Sequence, residues 1–187
     1  MAAVSEGGSE AAKAEAPPRN VEFAIPAALW DPACVRLREP PQADRHTRGA
    51  RFIPLTYADE HVECPALQVL TADMPPPQVL GGMIRVPLDQ AGELVSKLGA
   101  LRAQVEAHLL LRHGVQPPPP GEGARDWLLR APEGLRAVDT RKGSWHGLGD
   151  PCLAGRRWRL MARLSGVSLP AAGSWTLEWR LTSVYVM

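Results

Sequence analysis

The chain reads as a mainly β protein with one long helix. Three observations predict this. Proline (19) and glycine (17) together approach a fifth of the 187 residues, a density that favours short elements joined by turns over a helical bundle. Two segments near the C-terminus alternate apolar and polar residues with the period of a strand. Only one segment, about 89–113, repeats its apolar residues at helical spacing.

Taken in order, residues 1–20 are Ala, Gly, Ser, Glu and Pro with almost nothing to bury, and they read as a disordered tail. Residues 21–50 form an extended lead-in. Phe23, Ile25, Leu29 and Trp30 could pack, but four prolines and the polar stretch 42–49 interrupt any regular element. The domain proper spans 51–187. Residues 51–57 and 62–70 are strand-like and separated by a polar turn, which predicts a hairpin; Pro65 lacks an N–H for a ladder, so the second strand is bulged there or lies at an edge. Residues 73–77 form a rigid proline-rich loop, and 83–86 a short strand.

The helix has its signals at both ends. Asp89 is placed as N-cap, and Gly114 as the residue past the last turn. Between them Leu94, Leu98, Leu101, Val105 and Leu109 make one apolar stripe. Gly92 and Gly99 each weaken a helix by up to about 1 kcal/mol relative to Ala, so packing must hold this one. Residues 116–123 read as a loop, 127–130 as a short strand and 140–155 as a long loop.

The last 32 residues carry the clearest pattern. Trp158, Leu160, Ala162 and Leu164 alternate with Arg157, Arg159, Met161 and Arg163. Farther on, Trp175, Leu177, Trp179, Leu181, Tyr185 and Met187 form the expected inward set, with Arg180, Val184 and Val186 on the other side. If the apolar sides are core, three arginines stand outward along about 20 Å of strand, and Arg180 joins them from the next. Such a row suits the recurring phosphates of a nucleic-acid backbone. A solubilising face, or a protein contact, would use the same residues.

Trp158, Trp175 and Trp179 read as core. Trp145 differs because it follows Arg141 and Lys142 in a polar stretch, where a ring beside two cations could stack on a base; a loop anchor is the other reading. Tyr57, at the end of the first strand, is open to the same two readings.

Charge adds a hint. The net charge of +1 implies no polyanionic partner, yet residues 140–187 hold seven Lys and Arg against two Asp and Glu, leaving the first 139 residues at −4. No run of about 18 apolar residues predicts a membrane span. An N-terminus without the apolar stretch of a signal peptide and three scattered cysteines point to an intracellular, reducing setting, with Cys34, Cys64 and Cys152 as small buried or inert thiols. The cysteines lack metal-ligand spacing, and His108 and His113, five apart, share no helix face, so no metal or other cofactor is expected. There is no nucleophile elbow or phosphate loop, and Ser144 beside His146 reads as coincidence. The chain is not expected to be an enzyme.

The order of elements, with Thr71-Ala-Asp-Met-Pro-Pro-Pro77 ahead of the helix, Leu164-Ser-Gly-Val167 after it and the closing run around Trp179, resembles the single-stranded DNA-binding proteins of large double-stranded DNA viruses. Met74-Pro75, Gly166-Val167 and Trp179 carry the likeness, which extends over about 50–187. The resemblance implies an OB-like antiparallel barrel and binding of single strands in replication or recombination, in a host nucleus or viral factory, alongside other replication proteins. The expected interface is Arg157, Arg159, Arg163, Arg180, Arg141, Lys142, Trp145 and Tyr57, with single-stranded DNA or RNA as partner and no membrane. Two other expectations stand beside it: a structural or assembly protein using that face for protein contact, and an accessory module docking through its tail.

Overall fold

The computed structural model describes residues 24–44, 49–60, 63–88, 92–116, 126–171 and 174–187. The expected tail, Phe23, Val62, the N-cap at Asp89 and residues 117–123 lie outside them. Among the described residues the thirteen strands are β1 (Ile25–Pro26), β2 (Val35–Leu37), β3 (Gln42–Ala43), β4 (Arg51–Ala58), β5 (Glu63–Cys64), β6 (Leu67–Leu70), β7 (Gln78–Leu80), β8 (Met83–Pro87), β9 (Asp126–Arg130), β10 (Arg136–Asp139), β11 (Trp145–Gly147), β12 (Trp158–Leu169) and β13 (Thr176–Val186). The helix α1 (Gly92–His113) falls between β8 and β9.

The protein is mainly β with one α-helix among the described residues. β12 and β13 form its spine, flanked by β6 and β1 on one side and by β9, β8 and β7 on the other. The path ends at β1 and β7 without joining them, so the sheet does not close into the expected barrel. One face of the sheet and the stripe Leu94, Leu101, Val105 and Leu109 of α1 share a single core. The stripe is what holds a helix containing two glycines. Gly114, at φ +64°, ends it, its N–H donating to Leu110 O at 3.1 Å.

The lead-in is more structured than its prolines suggest. β2 and β3 both pair with β4, β1 runs parallel to β6, and Trp30 is buried. The expected hairpin forms between β4 and β5; past Pro65 the chain leaves β4, and β6 pairs with β12 instead. The far end of β12, residues 166–169, pairs with β4. Gly166 is required there. A Cβ on it would lie 2.3 Å from Ile53 O and 2.4 Å from the Phe52 ring, so only a glycine allows the two strands to approach.

The β12–β13 ladder is interrupted twice. Met161 pairs with Ser183 and Ala162 with Leu181, which leaves Thr182 as one extra residue on β13; a second irregularity falls between Leu164 and Val167. The first reverses the expected facing of the end of β13. Val184 and Val186 are buried and Tyr185 is half-buried on the opposite face, whereas simple alternation put Tyr185 and Met187 inside.

Candidate nucleic-acid interface

Residues in register on adjacent strands project to the same face, so the pairing defines the surface opposite the core. One row crosses four strands. Gln68 of β6 is opposite Arg163 of β12, Arg163 is opposite Arg180 of β13, and Arg180 is opposite Arg130 of β9. Arg130 and Arg180 are exposed and Arg163 is half-buried. A second row runs from Arg159 of β12 through Tyr185 of β13 and Val138 of β10 to Trp145 of β11. Between the rows lie Met161 and Ser183. The outer face thus presents four arginines and two aromatic rings on a rigid sheet.

Not all of the expected site belongs to it. Tyr57 does not: it is 1% exposed, its hydroxyl accepts from the Asp31 N–H at 3.2 Å, and burial pushes its pKa up. Of its two readings, the anchor is the one the burial fits. Trp145 is 59% exposed, which removes the loop-anchor reading. Trp158, Trp175 and Trp179 are core, with Trp179 edge-on to Trp127 at 5.0 Å. Arg157 and Arg159 turn toward residues 71–77. Arg159 pairs with Asp73 Oδ1 at 2.8 Å and Arg157 donates to Asp73 O at 2.8 Å, at the mouth of a cavity of about 520 Å³ bounded by Pro26, Leu70, Met74 and Leu94. The Arg159–Asp73 pair is about 40% exposed on both sides, so solvent screens it and polyanion can compete for the guanidinium.

Arg141 and Lys142 are exposed on the turn between β10 and β11. That turn is organised from below by Asp139. Its buried carboxylate accepts from the N–H groups of Arg141 (2.9 Å) and Lys142 (3.2 Å) and holds the Arg156 guanidinium through two contacts of 2.5 and 3.1 Å. Arg156 above all keeps the Asp139 carboxyl far below the usual carboxylate range. Arg156 is therefore structural and lies outside the candidate surface.

Sequence reasoning missed Arg130 and Tyr185. Arg130 ends a short strand whose partner cannot be read locally, and the half-buried Tyr185 faces outward only because Thr182 bulges out of the ladder.

Among the described residues, two clusters of side chains able to ligate a metal were also missed. His108 and His113, expected to diverge, both reach Glu39 Oε1, at 2.9 and 2.8 Å. The hydrogen bond from His108 is the largest influence holding the Glu39 carboxyl low. Around β11, Ser144 Oγ, just before the strand, lies 2.8 Å from Nε2 of His146 within it; His146 Nδ1 is 3.1 Å from Asp150 Oδ2 and 3.2 Å from Cys152 Sγ, both past the strand. Of the three cysteines expected as buried or inert thiols, Cys152 is exposed and Cys34 and Cys64 are half-buried.

No helix of the described residues is long and apolar enough to cross a membrane. Comparison with family models, curated proteins and solved structures found no match.

Proposed function

We propose that the outer sheet face binds single-stranded nucleic acid with little sequence preference. The observation that carries this reading is the Arg163–Arg180–Arg130 row. Three guanidinium groups in register on neighbouring strands give a polyanion a concentrated positive stripe to lie across. Three abreast span about 10 Å, the scale of successive phosphates on an extended strand. Trp145 and Tyr185 supply flat rings beside the charges, which is the combination that sequence-tolerant single-strand binders use. A duplex would present its bases already stacked and gives those rings nothing to do.

The OB-like relationship and a role in replication or recombination belong to the same proposal and rest on the resemblance in the elements around Met74 and Trp179. No catalytic residue is part of the reading.

Titration of the full chain with labelled oligo-dT at two salt concentrations tests it. Contact with five phosphates gives a log–log salt slope of about −3.5, at roughly 0.7 per phosphate. Absent or salt-insensitive binding would sink the proposal in favour of a protein partner on the same face, where exposed Leu128 and Leu80 lie on β9 and β7 near the arginines.

A further inference from the structure

Beside Trp145, three side chains from a seven-residue stretch converge on one point. His146 Nδ1, Asp150 Oδ2 and Cys152 Sγ lie within 4.8 Å of one another. We propose that they form a site for a thiophilic divalent transition metal, with Zn²⁺ the ion that fits. This goes beyond the nucleic-acid reading and does not depend on it.

The distances suit the ion. A tetrahedral zinc with bonds of about 2.0–2.3 Å spaces its nitrogen–oxygen and nitrogen–sulfur ligand pairs about 3.3–3.6 Å apart. The corresponding separations here are 3.1 and 3.2 Å, so the cluster opens by only a few tenths of an ångström to admit the metal. The Glu39 cluster is tighter, at 2.8 and 2.9 Å to a single oxygen, and has no sulfur. It is satisfied as a hydrogen-bonded clasp.

The surroundings prepare the ligands. Ser144 Oγ, 2.8 Å from Nε2, can accept the Nε2 proton and leave the Nδ1 lone pair facing the metal, the outer contact that ligating histidines ordinarily have. Asp150 Oδ1 accepts from the Cys152 N–H at 2.9 Å, which leaves Oδ2 for coordination. The frame is anchored at both ends. The Asp139 N–H donates to Ser144 O at 2.8 Å, and Leu153, next to Cys152, is buried in the core. Cys152 itself is exposed, which gives the ion an entry path and leaves a fourth position for water.

A Ser–His–Asp nucleophile is the competing use of these contacts. In such a triad Nδ1 serves the carboxylate alone. Here a sulfur shares that nitrogen, which a metal centre uses and a triad does not. Coordination by Cys152 forms the metal–sulfur bond and releases the thiol proton to solvent.

Cobalt(II) titration of the reduced, metal-free full chain tests the site. The expected result is a near-ultraviolet sulfur-to-cobalt charge-transfer band that saturates at one equivalent, releases one proton per ion and is bleached by Zn²⁺. Cys152→Ser should abolish the band. His146→Gln and Asp150→Asn should weaken binding at least about tenfold, and Ser144→Ala by about ten- to a hundredfold. Glu39→Gln should leave it unchanged. Circular dichroism establishes that each variant is folded. No charge-transfer band with excess cobalt, a band that survives Cys152→Ser, or undiminished affinity in both His146→Gln and Asp150→Asn would overturn the assignment. Oligo-dT binding is read separately, so failure of one proposal leaves the other standing.

Discussion

Arg163 and Arg180 stand directly opposite one another on β12 and β13, and Arg180 stands opposite Arg130 on β9. A fold selected for stability alone would alternate charges at such positions, because cross-strand pairs contribute roughly 0.2–1 kcal/mol with a sign set by their charges. An anion lying across the row meets three guanidinium groups in register.

Arg180→Gln should therefore weaken oligo-dT binding, reduce the magnitude of the salt slope by about 0.7, and leave the protein as stable or slightly more stable. The measurements are a salt-series titration and urea denaturation. Weaker binding accompanied by marked loss of stability would mean that Arg180 is structural.

Trp145→Ala should cost about 1–3 kcal/mol of single-strand affinity if a base stacks on the ring. Its 59% exposure means the melting temperature should barely move. Oligonucleotide should also quench tryptophan fluorescence in the parent and much less in the variant.

Gly166→Ala should destabilise strongly. The added methyl group meets a backbone oxygen, Ile53 O, which cannot rotate aside as a flexible side chain would. Overpacking of this kind costs about 1–3 kcal/mol and here should reach the upper end, read as a lowered urea midpoint.

Asp139→Asn tests acid stability. In the unfolded chain this carboxyl takes up its proton near 3.8; in the folded protein Arg156 and the turn N–H groups hold its pKa far lower. Its stabilisation is thus present above pH about 4 and lost progressively as the pH falls below that. Asp150, held to about 2 chiefly by Cys152, adds a loss over the same window. The Asn variant should be less stable at neutral pH and show a flatter decline on acidification. An unchanged acid profile would mean that the Arg156 contact contributes nothing.

Much of the architecture was legible because it rests on local periodicity. The helix stripe, β4, the interruption at Pro65 and the alternation of β12 each follow from spacing within one segment. The outward set Arg157, Arg159 and Arg163 follows the same rule. What escaped depends on partners distant in sequence. Glu39 meets His108 and His113 across about 70 residues, Arg130 acquires its place only through its register with Arg180, and Tyr57 is buried by the lead-in segment at Asp31. The end of β13 escaped for another reason: a single inserted residue has no signature in composition.

That insertion at Thr182 acts as a switch of surface identity. Were Thr182 drawn into the ladder as a paired residue, strict alternation would bring a phenol into the hydrocarbon interior and push two valines into water. The same residues in an unbroken pleat would make a worse core and a greasier exterior.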